Sequence, residues 1–178
     1  MRCLGLCVLG LMLGCTAEPG DRTPVKVGLL APKTGALTGV GESFDRVAQV
    51  AVASINDLGG IGGRDLELVV EDTETIAETA GEKLQGMIDQ GVVAVVGPAT
   101  SGEVTDAFAV ARDNKVPIIS PSSTAPGLSR PAPTGPDDQG YMFRNVPDDE
   151  IQGVAIAHYL LDRRDPRAMN VAVLFENT

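Results

Sequence analysis

Tryptophan is absent from the 178-residue chain, and aromatic residues are scarce, with two Tyr and four Phe. A sugar pocket stacks its ligand on aromatic faces, so a carbohydrate ligand is disfavoured. Basic residues are also few: 14 Lys and Arg stand against 24 Asp and Glu, a net charge of −10. That balance argues against nucleic acid and anionic membrane surfaces as partners, since both require a basic face. One histidine, His158, is present. With no cysteine beyond residue 15, it leaves too few ligands for a metal site and no Ser/His/acid set for a hydrolase. A lone His in an amphipathic helical pattern reads as an ordinary surface or core residue.

Cys3, Cys7 and Cys15 all fall in the first fifteen residues, among Leu4, Leu6, Val8, Leu9, Leu11, Met12 and Leu13, with Arg2 ahead of them. A basic start followed by an apolar run too short to span a bilayer has the layout of a signal peptide. The sequence Met12-Leu13-Gly14-Cys15 resembles the bacterial lipobox, with Met where Leu is usual. That resemblance implies lipidation of Cys15 and stable membrane anchoring. The alternative is a plain cleaved secretory signal. Either reading exports a domain that holds together without disulfides.

Beyond a polar tether at residues 16–24, apolar runs and helical periodicities alternate. Val25–Leu30 reads as a strand, and Pro32–Gly41 as a Gly- and Thr-rich loop. A helix follows from about Glu42, with Phe44, Val47, Ala48, Ala51, Val52 and Ile55 on one face. Gly59–Gly63 stops it. Leu66–Val70 is a second strand, and a second helix carries Ala80, Leu84, Met87 and Ile88. Val92–Gly97 is solid and β-branched, as a buried strand should be. A third helix then carries Val104, Ala107, Phe108 and Ala111, and Thr100 with Glu103 has capping-box spacing. Val116–Ile119 is another apolar strand, and Tyr141–Arg144 a short one. A helix from Asp149 with Ile151, Val154, Ala155 and His158 precedes a strand at Val171–Phe175. The pattern is α/β: a doubly wound parallel sheet with helices on both faces, joined by right-handed crossovers.

In such sheets ligands bind at the carboxyl ends of the strands. There, Ser120-Pro121-Ser122-Ser123-Thr124-Ala125-Pro126 follows a strand and places four hydroxyls within five residues. Taken alone it is as readily a turn as a site. Thr100 and Ser101 approach the same edge at a helix start, where free amides and the helix dipole favour an anion. They too have a second reading, as a helix cap without a ligand. Asp149 offers a charge for an ammonium group, or caps a helix with Gln152. Carboxylate and ammonium contacts together suit an amino acid. No cofactor is expected: Gly39-Val40-Gly41 lacks the third glycine of a dinucleotide fingerprint, and there is no phosphate-binding G-x-x-x-x-G-K-[ST]. Nor is there a G-x-S-x-G nucleophile elbow, so an enzyme is the weakest of the alternatives.

The order of motifs resembles the leucine/isoleucine/valine-binding protein family, the extracytoplasmic solute receptors of branched-chain amino acid ABC transporters. The residues that carry the resemblance are Val25–Gly35, Ile55–Arg64, Glu71-Asp72, Val95–Gly102, Val116–Pro126, Phe143–Asp149 and Gln152-Gly153. It implies two α/β lobes that close on a ligand, and a protein that is exported, periplasmic or on the cell surface, and monomeric. It implies that Ser101 and Thr124 hold the ligand's α-carboxylate, that Ser122 and Ser123 line the same turn, and that Asp149 lies near the ammonium. Val40 matches a position, often aromatic in the family, that packs over the ligand side chain. The partners implied are an amino acid and an ABC permease. Family members have a two-domain length. The expectation is therefore an incomplete first lobe at 25–148 and a truncated second lobe at 149–178. A sensory or envelope-regulatory lipoprotein on the same fold is the competing function.

Overall fold

The computed structural model describes residues 22–128, 140–163 and 172. The expected signal segment with Cys15 and the expected strand at 171–175, Ala172 apart, lie outside the described residues.

Five parallel strands form one sheet in the order β2-β1-β3-β4-β5, with β1 at Val25–Ala31, β2 at Leu66–Asp72, β3 at Ala94–Val96, β4 at Ile118–Ser120 and β5 at Met142–Arg144. The connecting helices are α1 at Thr38–Asp57, α2 at Ala80–Asp89 and α3 at Ser101–Asp113, and α4 at Asp149–His158 follows β5. Sequential units build outward from β1 in both directions, so the chain reverses between β1 and β3. That reversal is the place where such sheets hold ligands.

The main core lies between the sheet and the pair α2 and α3. Leu30, Val95, Ile118 and Met142 point from the strands into a cluster with Leu84 and Met87 of α2 and Val104, Ala107 and Ala111 of α3. Gly28 belongs to this face: a Cβ there would press on Met87, Val92 and Val95, so its absence lets α2 pack close to β1.

The opposite face is covered less. Because side chains alternate along a strand, Leu29, Val96, Ile119 and Phe143 share one register row on that side. α1 packs on β1 and β2, and Leu29 is buried at 1% exposure. Val96, Ile119 and Phe143, in the strands beyond it, remain 39%, 42% and 46% exposed. The expectation of fully buried strands at 92–97 and 116–119 therefore needs correction. Their apolar residues serve two faces, and one face of β3 and β4 has no covering element among the described residues.

Three other expectations shift. α1 begins at Thr38 after a 3₁₀ turn at Gly35–Leu37, so the expected loop to Gly41 is partly helical. Its apolar stripe is only half used: Phe44, Ala48 and Val52 are partly buried, whereas Val47 is exposed. α4 presents Ile151 and Val154 to solvent, continues as a π-turn at Tyr159–Arg163, and buries none of its residues.

Candidate functional site

The site begins where β3 ends. Gly97 has φ +106°, and a Cβ there would collide with the Leu30 carbonyl of β1. Glycine alone lets the chain leave β3 at this angle. Pro98 and Ala99 then lead into α3, whose start is closed by a reciprocal capping box. The Thr100 hydroxyl accepts from the Glu103 amide at 3.2 Å, and Glu103 Oε2 accepts from the Thr100 amide at 2.8 Å and the Ala99 amide at 3.1 Å. Thr100 therefore caps α3. It meets only the third amide of the helix and leaves the first two, Ser101 and Gly102, without a protein acceptor among the described residues.

The hydroxyl-rich turn after β4 sorts itself by what each hydroxyl already touches. Ser120 Oγ donates to the Pro98 carbonyl at 2.6 Å and stands 2.7 Å from Ser123 Oγ. Ser122 Oγ donates to the Ala99 carbonyl at 2.6 Å, and Ser123 Oγ lies 3.2 Å from the same oxygen. Ser120 and Ser123 are fully buried. These three hydroxyls splice the turn to the segment before α3 and are engaged inward. Ser122 and Ser123, expected to line the turn, are thus placed as its fastenings. Thr124 differs: it is half-buried, and its hydroxyl has no hydrogen-bond partner among the described residues.

Ser101 is brought to the same place, because its Oγ accepts from the Ala125 amide at 3.2 Å. A hydroxyl that already accepts can still donate its proton outward. Asp149 also reaches this turn, with its amide donating to the Thr124 carbonyl at 3.0 Å. Its carboxylate does not cap α4. Asp148 does, accepting from the Ile151 amide at 3.0 Å, which leaves Asp149 exposed on the first helical turn. Ser101, Thr124 and Asp149 therefore converge from three elements onto one edge of the sheet. Val40 lies on the first turn of α1, not in a loop, and is 38% exposed.

The loop that leads to Val40 is held from β2. Asp72 Oδ1 accepts from the amides of Lys33 (2.8 Å), Thr34 (3.1 Å) and Glu74 (2.8 Å), and Oδ2 from the Thr34 hydroxyl at 2.7 Å. Partial burial pushes the Asp72 pKa up, but these hydrogen bonds together outweigh it and hold the carboxyl below its ordinary value. Asp45 is likewise held low, first by its hydrogen bond to the Lys33 ammonium at 2.6 Å.

A cavity of about 400 Å³ opens between α3 and residues 125–128, lined by Val104, Thr105, Phe108, Ala125, Gly127 and Leu128. None of the converging hydroxyls lines it, so the candidate site is an open edge and not this cavity. Among the described residues no group of three His, Cys, Asp or Glu could hold a metal ion. No described helix is long and apolar enough to cross a membrane. His158 sits on the surface, 3.2 Å from Asp162. Two residues escaped the sequence reading as contributors, Arg144 and Asp148. Their spacing of four residues across a strand end was the available signal.

Residues 24–178 match the periplasmic binding protein family. A Leu/Ile/Val-binding protein of Rhizobium johnstonii is 34% identical over 85% of this chain and 40% of its own length. A chemotactic signal transduction system substrate-binding protein of Halobacterium salinarum is 31% identical over 85% of the chain and 37% of its own. Among solved structures, a branched-chain amino acid transporter substrate-binding protein from Streptococcus pneumoniae, in complex with isoleucine, superposes with a TM-score of 0.71. It is 35% identical over 79% of this chain and 38% of that one. The chain thus spans about two-fifths of the length of the relatives it matches.

Proposed function

Because the chain belongs to the periplasmic binding protein family, a family of solute-binding proteins and not of enzymes, we propose that it captures a branched-chain amino acid. The α-carboxylate is received at the edge formed by Ser101, Gly102 and Thr124. The observation that carries this reading is the contrast in hydrogen bonding at that edge. Ser120, Ser122 and Ser123 are committed to the scaffold, whereas the Thr124 hydroxyl and the Ser101 and Gly102 amides have no protein partner among the described residues. Donors gathered at a helix N-terminus suit a carboxylate. The exposed Asp149 carboxylate, tied by its backbone to Thr124, serves the ammonium group. Val40 bounds the side-chain end.

The test is an NMR titration of the chain with L-isoleucine and with L-isoleucinol, which lacks the carboxylate. The amides of Ser101, Gly102 and Thr124 should shift with the acid and stay in place with the alcohol. Equal shifts with both, or none with the acid, would remove the carboxylate site.

Family membership implies an exported, periplasmic protein. We read Cys15 as the lipidated residue that anchors it, with the lipobox spacing as support. Incorporation of labelled palmitate that disappears in Cys15→Ser tests this. Working as a monomer, the protein would pass its ligand to an ABC permease, and deletion should then abolish isoleucine uptake. A sensory role is the second reading, favoured by the chemotactic relative. It expects uptake to survive the deletion and a response to isoleucine to be lost.

A further inference from the structure

Arg144 ends β5, paired in register with Ser120 of β4. Its guanidinium is turned under the hydroxyl-rich turn and almost excluded from solvent, with 7% of the side chain exposed. Nη1 donates to the Ala125 carbonyl at 2.8 Å and the Ser123 carbonyl at 3.4 Å. Nη2 reaches the Pro126 carbonyl at 3.4 Å and Asp148 Oδ2 at 3.5 Å. Asp148 is equally enclosed, at 6% side-chain exposure, and its other oxygen caps α4.

We propose that Arg144 is the positioning residue of the ligand edge, fixing the backbone around Thr124 and locking that turn to the start of α4. The proposal rests on the carboxylate-site reading above and names the device that sets it. Three successive carbonyls show how. Those of Ser123 and Ala125 point to the guanidinium, and that of Thr124, between them, points to the Asp149 amide. The amide of Ala125 is held in turn by Ser101 Oγ. With the peptide planes on both sides of Thr124 fixed, so are its φ and ψ, and the rotamers open to its side chain narrow accordingly. Through Asp148, the same guanidinium fixes where α4 begins and therefore where Asp149 stands.

Arginine is specifically suited to this place. A planar fork with five donors can serve several carbonyls and a carboxylate at once, whereas a lysine ammonium supplies three donors from a single point. The start of α3 is set independently by its own capping box. Loss of Arg144 should therefore disturb Thr124 and leave the amides of Ser101 and Gly102 in place.

Amide hydrogen exchange and an isoleucine titration, both on the whole chain, test this with Arg144→Lys. The amides of Ala125 and Asp149 are not bonded to Arg144, so they report positioning and not the lost contacts themselves. They should exchange at least tenfold faster, with Leu30 and Val95 in the sheet unchanged. The isoleucine shift at Thr124 should vanish and that at Gly102 persist. Unchanged exchange at both reporter amides would overturn the proposal. Should Leu30 and Val95 also lose protection, Asp148→Asn decides, because asparagine still caps a helix but no longer neutralises the guanidinium. Faster exchange at Asp149 in that variant supports the proposal, and wild-type exchange overturns it. If the unmodified chain shows no isoleucine shift anywhere, the carboxylate reading fails, while the exchange data still decide the role of Arg144.

Discussion

Thr73 Oγ1 stands 2.6 Å from Glu103 Oε1, and both residues are fully buried. Thr73 follows the end of β2, and Glu103 lies in the first turn of α3. Three donors converge on the one carboxylate: the Thr73 hydroxyl and the amides of Ala99 and Thr100. A side chain expected from its spacing to complete a helix cap is also the tie between two loops at the carboxyl edge of the sheet. Replacing Glu103 by Ala would leave these buried donors unmet, at about 1–3 kcal/mol for each stranded group. We expect Glu103→Ala to lose about 3 kcal/mol in urea unfolding, and Thr73→Val about 1–2 kcal/mol. Thr73→Ser, which keeps the hydroxyl, should stay close to the original.

Asp72 makes the stability of the β1–α1 loop dependent on acid. Its pKa in the folded chain lies below the ordinary value of 3.8, the value it returns to on unfolding. A depressed folded-state value means that the stabilisation is present above 3.8 and is lost as the pH falls through the folded value. Asp45 acts in the same direction. Urea unfolding from neutral to strongly acidic pH should show Asp72→Asn less stable than the original chain at pH 7. The gap between the two should close as the pH falls below 3.8. A gap independent of pH would mean that the hydrogen bonds do not depend on the carboxylate charge.

The parallel α/β architecture was legible because its signal is periodic. Leu84 and Met87 on α2, or Val104 and Ala107 on α3, are buried as their spacing requires. What sequence could not show is which apolar residues have a partner. Val96 and Val95 are the same residue type in adjacent positions, yet one is 39% exposed and the other 1%; α2 and α3 cover the face of Val95, and no described element covers that of Val96. The candidate site was legible as a cluster of hydroxyls but not in its division of labour. Ser123 and Thr124 are chemically alike, and the carbonyl of Ala99, distant in sequence, engages one and not the other. The sequence offered Asp149 with Gln152 as the α4 cap, whereas Asp148 takes that place and also meets the buried guanidinium of Arg144.

The half-covered sheet face gives its own expectation. Val96, Ile119 and Phe143 form a continuous apolar row across β3, β4 and β5. Apolar rows of this kind bind hydrophobic dyes and promote association. The double substitution Ile119→Thr with Phe143→Thr should lower dye fluorescence of the folded chain severalfold. Partly exposed sites that bury little cost little on substitution, and threonine keeps the β-branched shape suited to a strand. Stability should therefore change by no more than about 1 kcal/mol. Undiminished dye binding would place the exposed apolar surface elsewhere, with α4 the next place to look.

Three hydroxyls at the proposed ligand edge should separate cleanly by substitution, because each has different obligations. Thr124 has no protein partner for its hydroxyl among the described residues. Thr124→Val should thus leave the urea midpoint unchanged and weaken the isoleucine response by about 1.5–3 kcal/mol, the range for a hydrogen bond to a charged group. Ser101 has two obligations, since its oxygen also accepts from the Ala125 amide. Ser101→Ala should therefore weaken the isoleucine response and also cost about 1 kcal/mol of stability. Ser123 is bonded only inward and is fully buried. Ser123→Ala should cost stability of similar size, about 1 kcal/mol, and affect isoleucine only as far as the turn itself loosens. If Thr124→Val shifted the urea midpoint and left the isoleucine response untouched, Thr124 would be a fastening like its neighbours, and the carboxylate would have to be held by the α3 amides alone.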